Sequence, residues 1–266
     1  MKRILLTNDD GFESSGLLAL KDALKNLAHI MIVAPANEKS ACGHGLTLTR
    51  PLHFVQIDDD FYKLEDGTPS DCVYLALNTL YKEGYKPDLV ISGINLGSNM
   101  GEDITYSGTI AGAMEACIQG VPSIAISQVI QDMNRSKHLD FSLAKTCIVN
   151  IVKMIFDKGF PLGERKLLNI NVPYIKPKEC KGYKITQMGY RIYADEAHLH
   201  RNPRGQEYYW LGLHPLQWEE RSDTPYTNGS DFKAINENYI SITPIKLDMT
   251  SYEDSTKLSS WIQTIN

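Results

Sequence analysis

This 266-residue chain has no long apolar run, no Cys-x-x-Cys pair, no excess of basic residues and neither of the common nucleotide-loop signatures. Each absence removes a class of protein. A membrane-spanning helix needs roughly 18 or more apolar residues in a row, and no stretch supplies them. The first apolar run, Ile4-Leu5-Leu6, reaches Asn8 and two acids too soon to be the core of a signal peptide, so a cytoplasmic location is expected. Cys42, Cys72, Cys117, Cys147 and Cys180 are odd in number and widely scattered, which argues against a disulfide framework, a zinc site or a redox pair. Cys72, Cys117 and Cys147 lie among apolar residues and read as small buried hydrophobes. With 27 Lys and Arg against 32 Asp and Glu, the net charge of -5 is wrong for a protein that grips a nucleic-acid duplex or an anionic membrane. No Gly-Lys-Ser/Thr closes a phosphate loop. No Gly-x-Gly-x-x-Gly follows the first strand, which disfavours a dinucleotide oxidoreductase or a methyltransferase.

What is present alternates between strand and helix. Lys2 to Thr7 reads as a buried strand, Gly16 to Leu27 as a helix with Leu17, Leu20, Leu24 and Leu27 on one stripe and Ser14 or Ser15 as its cap, and His29 to Ala34 as a second strand. That order is a βαβ unit with parallel strands. The pattern continues with helices over Ser70 to Tyr81, Ile110 to Gln119 and Phe141 to Asp157, and strands over Asp88 to Ser92, Val121 to Ser127 and Leu167 to Val172. The expected fold is α/β, a mostly parallel sheet with helices on both faces. After Pro173 the texture turns to Tyr- and Trp-rich strand pieces, Tyr183 to Met188 and Glu207 to Leu211, between polar loops. The expected division is a core over residues 1–175, a projecting hairpin over 176–228, then a returning strand and terminal helix over 229–266, all in one domain. Exposed aromatic hairpins pair with second subunits, so a homo-oligomer is expected, with a lid over the same molecule as the alternative.

Ligands of such sheets gather beyond the carboxyl ends of the strands, and three segments fall there. The first is Asn8-Asp9-Asp10-Gly11. Adjacent carboxylates converge on one ion only where the backbone turns, which Gly11 allows, and an oxygen-rich pair suits Mg²⁺ or Mn²⁺. The same residues also suit an ordinary turn with a helix cap. The second segment, Ala36 to Gly45, carries Lys39, Ser40 and His44 and reads equally as a plain polar loop. The third runs from Ser92 through Asn95, Asn99 and Gly101 to Tyr106-Ser107-Gly108-Thr109 and opens into a helix, an arrangement that favours an anion or is simply a capped helix. Taken together, a cation on the carboxylates beside a phosphate on the helix is a coherent site. Without the cation, phosphate and carboxylate repel by about 4 kcal/mol per close pair at an effective dielectric near 20.

Several ordered segments resemble the SurE survival-protein family of metal-dependent 5'/3'-nucleotidases. They are Leu5 to Gly11 with Gly16-Leu17, Val33-Ala34-Pro35 with Lys39-Ser40 and Leu46-Thr47, Gly67 to Val73, and Ser92 to Asn95 through Asn99, Gly101, Asp103, Tyr106 to Thr109 and Met114-Glu115. Leu168 to Pro173, Pro203-Arg204-Gly205 with Tyr208 to Trp210, and Ser230-Asp231 with Ser241 to Pro244 extend the likeness toward the C-terminus. The resemblance implies a Rossmann-like sandwich and one divalent ion, Mg²⁺ or Mn²⁺, held by Asp9, Asp10, Ser40 and Asn95. It further implies dephosphorylation of nucleoside monophosphates, and a homodimer or homotetramer built through the hairpin and C-terminal segment. Two departures stand out: Lys39 replaces the usual Arg before the metal-binding Ser, and Asn202 replaces the usual Asp before Pro-Arg-Gly.

The mechanism expected from these readings is hydrolysis by a metal-activated water, with Asp9 or Asp10 as general base or water orienter. Ser107, Gly108 and Thr109 would hold the phosphate, with Asn99 nearby and Lys39 stabilising charge. His44 is a candidate proton donor to the leaving oxygen. Asp9 as a covalent nucleophile is disfavoured because the Asp-x-Asp spacing is missing. The alternative function is a non-catalytic module that binds nucleotides for regulation.

Overall fold

A computed structural model describes residues 1–81, 85–130, 139–192, 197–211, 217–220 and 229–265. Strand β1 (Arg3–Thr7) has side chains that alternate between two apolar layers, Ile4 and Leu6 to one and Leu5 to the other. Helix α1 (Ser15–Leu24) starts where the Ser14 hydroxyl accepts from Leu17 N, and it buries Leu17, Leu20 and Leu24. Each such Leu contributes about 1.5–3 kcal/mol on leaving water. Strand β2 (His29–Pro35) pairs in parallel with β1, completing the βαβ unit.

The chain next forms β3 (His53–Asp58) and β4 (Phe61–Glu65), an edge hairpin that was not foreseen in the sequence. Only Phe61 and Leu64 of these strands are buried, so the apolar alternation is faint. The helix expected over Ser70 to Tyr81 divides into α2 (Pro69–Leu75), fixed by a Thr68–Asp71 capping box, and a wider π turn over Ala76–Leu80. Strand β5 (Leu89–Leu96) is followed by a short 3₁₀ turn, Gly101–Thr105, and by α3 (Gly108–Ile118), whose cap is Ser107. Strand β6 (Ser123–Val129), helix α4 (Ser142–Lys158) and β7 (Lys166–Pro173) complete the parallel body.

Among the described residues the main sheet runs β3-β4-β2-β1-β5-β6-β7, then β13 (Ile240–Lys246) antiparallel to β7, then β8 (Tyr183–Ile185). Helices α1 and α4 cover one face, while α2 and α3 cover the other with Cys72, Val73, Ile110 and Met114. Because β1 leads out to β2 on one side while β5 lies on its other side, the carboxyl ends of β1 and β5 flank a reversal of strand order. Crevices at such reversals are where open α/β sheets bind ligands.

Beyond the sheet, β9 (Tyr190–Ile192) pairs with β12 (Gln217–Glu219), and β10 (Ala197–Arg201) with β11 (Glu207–Leu211). Parts of the expected hairpin, 193–196, 212–216 and 221–228, lie outside the described residues. At the β10–β11 turn the Asn202 Oδ1 accepts from Arg204 N at 2.9 Å and Gln206 N at 3.0 Å. An amide therefore does the work that a carboxylate acceptor would do there. Helix α5 (Asp231–Asn236) packs on β13 and β7, and α6 (Ser255–Ile262) near the C-terminus has no buried residue.

Candidate active site

Three loops that leave parallel strands meet at Asp9 and Asp10. Asp9 is 5% exposed, and Thr109 on α3 binds both of its carboxylate oxygens, the hydroxyl donating to Oδ1 and the backbone N–H to Oδ2 at 3.0 Å. Its backbone carbonyl accepts from Lys39 N at 2.7 Å, which ties the second loop to the first. Asp10 Oδ2 takes a longer contact, 3.4 Å, from Leu96 N in the third segment. Gly43 N donates to Tyr106 O at 2.9 Å, joining the second loop to the turn before α3. Asn8 locks the approach, its Nδ2 donating to Gly11 O and to Ser14 Oγ.

Glycine makes this closeness available. A Cβ on Gly108 would lie 2.8 Å from Asp9 Cβ and 3.0 Å from Cys42 Sγ, so α3 reaches the carboxylate only because that atom is missing.

Electrostatics select for a cation. Burial raises the Asp9 carboxyl above its usual range against the pull of the Thr109 bonds, and Glu38 raises it further. Burial, then the neighbouring Asp9 charge, pushes Asp10 up to about 7, with Glu38 adding to it. Among the described residues no group of three or more His, Cys, Asp or Glu is placed to hold a metal ion. Neutral oxygens would suit the rest of the shell of a cation at this pair, as they do for hard ions. Asn95 offers one, since its Nδ2 donates to Gly97 O at 3.0 Å and its amide oxygen has no hydrogen-bond donor among the described residues. Ser40 is exposed, and its hydroxyl donates to Glu38 Oε1 at 2.7 Å. These donors fit a hard divalent ion.

The remaining candidates occupy distinct places. The Ser107 hydroxyl accepts from Ile110 N and thereby caps α3. Asn99 is buried, with Nδ2 on Ser127 Oγ, its backbone N–H on Asn171 Oδ1 and its carbonyl accepting from Asn169 and Asn171. Asn99 thus braces the third loop, through its side chain against β6 and through its backbone against β7. His44 Nε2 stands 3.0 Å from Glu115 Oε2 on α3, and Gln119 also donates to that carboxylate. Although burial opposes it, these two partners hold Glu115 below its usual range. Glu38 is a residue the sequence reading missed, and its one signal is an acid two positions before Ser40.

A family model described as Survival protein SurE matches residues 4–195. The chain belongs to the SurE family. It is similar to the 5'-nucleotidase SurE of Helicobacter hepaticus, 83% identical over 99% of this chain and 100% of the relative. The 5'-nucleotidase SurE of Wolinella succinogenes is 64% identical over 98% of this chain and 100% of the relative. The crystal structure of the SurE protein from Aquifex aeolicus superposes with a TM-score of 0.80 at 41% identity, covering 97% of this chain and 99% of that one. The SurE fold, with its large, mostly parallel sheet, is thus the fold of this chain, and the segments quoted above as SurE-like span the three loops that meet at Asp9.

Proposed function

We propose that this chain is a metal-dependent nucleotide phosphomonoesterase that hydrolyses nucleoside 5'-monophosphates, and 3'-monophosphates at the same site, to nucleoside and phosphate. The observation that carries the reading is the meeting of the buried Asp9–Asp10 pair with the N-terminus of α3. Asp9, Asp10, Ser40 and Asn95 would hold one Mg²⁺ or Mn²⁺. Such an ion cancels the carboxylate charge and polarises the phosphate ester when bound.

The chain's own groups divide the remaining tasks. Both oxygens of Asp9 are engaged by Thr109, so Asp9 serves as a fixed anchor. Among the described residues the Asp10 side chain accepts one long hydrogen bond, and it is the carboxylate placed to orient the attacking water and take its proton. Ser107, Gly108 and Thr109 form the helix end that the phosphate faces, Asn99 stiffens the loop leading to it, and Lys39 supplies positive charge. His44 is bound to Glu115 and shapes the second loop. The same reading places the enzyme in the cytoplasm, and no helix among the described residues is long and apolar enough to cross a membrane. It also places the hairpin and α6 in a homodimer or homotetramer.

The test is phosphate release from a nucleoside monophosphate with and without Mg²⁺ or Mn²⁺. Metal-dependent release that Asp9→Ala and Asp10→Ala abolish is the expected result, whereas tight binding without release would make the protein a regulatory module.

A further inference from the structure

A phosphate at the end of α3 has buried residues behind it, Asp9, Gly108 and Thr109, so the nucleoside attached to it must leave toward solvent. Tyr106 stands at that end of α3. It directly precedes the Ser107 cap, and it is 60% exposed while Ile104, Ser107 and Thr109 around it are buried. Its ring has no hydrogen-bond or ring partner among the described residues.

The backbone beneath the ring is pinned from three sides. Tyr106 N and Ser107 N both donate to Asp103 O, at 3.0 and 3.1 Å, and Tyr106 O accepts from Gly43. The Asp103 carboxylate pairs with the largely buried Arg191, whose own N–H donates to Glu102 Oε2 at 2.9 Å. A large flat side chain on a rigid mount loses little freedom on meeting a ligand. Aromatic rings stack on any nucleobase, because every base has a π face.

We propose that Tyr106 is the stacking platform for the base of the nucleoside monophosphate, and so a residue that sets substrate preference for the hydrolysis proposed above. It favours compounds with an aromatic base over sugar phosphates without one, and it discriminates weakly among bases. The inference rests on that hydrolase reading, and one experiment separates the two. Phosphate release with Mn²⁺ is measured for adenosine 5'-monophosphate and for ribose 5-phosphate, in the wild type, Tyr106→Ala and Tyr106→Trp, with molecular mass recorded for each.

The expected result is that Tyr106→Ala loses about tenfold more kcat/KM on the nucleotide than on the sugar phosphate, chiefly through KM, and that Tyr106→Trp restores it. Equal losses on both substrates would overturn the proposal, making Tyr106 a part of the turn only. No loss on either, or equal losses with a change in mass, would overturn it too. If the wild type hydrolyses neither compound, the hydrolase reading fails. The stacking claim is then decided by the same ratio taken from equilibrium dissociation constants of the two ligands.

Discussion

Asp9 and Trp210 invert the usual placement of polar and apolar groups in opposite ways. Asp9 is a charged residue with 5% exposure and a hydrogen-bond partner for each oxygen, whereas Trp210 is a large apolar residue left 64% exposed. Bonds reach Asp9 from Thr109 and Lys39, and Asp10 from Leu96, so the strand-end region is cross-linked by contacts between distant parts of the chain. Around Trp210 lie Leu199, Tyr208, Tyr209 and Leu211, all exposed, and near the C-terminus α6 separately leaves Leu258, Trp261 and Ile262 exposed. A buried charge calls for an ion, and an uncovered apolar surface calls for another protein surface. On the proposed reading, one region awaits an ion and the other a second subunit.

The sharpest test of the site half is deletion of a carboxylate. Asp9→Ala or Asp10→Ala should lower phosphate release by about a thousandfold or more, while Trp210→Ser should leave turnover per folded subunit within a few-fold. Comparable losses from both changes would merge the two regions into one functional unit.

Packing gives the next contrast. Gly108→Ala forces a methyl against Asp9 and Cys42, and overpacking of this kind costs about 1–3 kcal/mol, with activity falling alongside. Gly205, at the tip of the hairpin with φ +78, faces open space, and a Cβ there would meet nothing within 4 Å. Gly205→Ala should therefore cost about 1 kcal/mol of backbone strain and no activity. Chemical denaturation and kinetics on both variants check this.

For the apolar half, Trp210→Ser combined with Leu211→Ser should lower the molecular mass seen by light scattering while circular dichroism stays the same. An unchanged mass would remove the hairpin from the subunit interface. Cation binding should act on the other region alone: Mn²⁺ at a hundredfold excess over its Kd should stabilise the wild type by about 2.7 kcal/mol, and Asp10→Asn should abolish the gain. A chelator should reverse it, and the hairpin variant should keep it.

The last contrast is in pH dependence. Asp231 is fully buried, accepts from Gly101, Gly189 and Phe232, and is pushed by burial up to about 6 despite those bonds. A carboxyl whose folded value is raised stabilises the protein most below its unfolded value near 3.8, and that contribution fades as pH rises through about 6. Thermal melts between pH 4 and 7 should therefore show a downward slope, to which Asp9 and Asp10 also contribute, and Asp231→Asn should make it shallower.

Much of the parallel body was readable because buried strands such as β1 and β7 are short apolar runs and α1 carries its leucines at helical spacing. The edge hairpin β3–β4 was not, since half-exposed strands carry mixed residues whose pairing is decided by the neighbouring strand. Strand β8 falls inside the strand expected over Tyr183 to Met188, but its place was not legible: it was assigned to the projecting hairpin, and it joins the main sheet beside β13 instead. At the site, Asp9 and Asp10 were conspicuous as adjacent acids before a glycine. Thr109 was expected to face phosphate, and its attachment to Asp9 had no sequence mark.

What the sequence alone determined was therefore local: which segments are strands and helices, where the turns fall, and which loops carry oxygen and nitrogen donors. Those properties depend on residues a few positions apart, within reach of periodicity and capping. The strand order that sets β5 beside β1, and the bonds from Thr109 and Leu96 to acids 100 and 86 positions away, belonged to tertiary structure. A hydrogen bond acts over about 3 Å, so its partners are chosen by packing of the whole sheet and not by their distance along the chain.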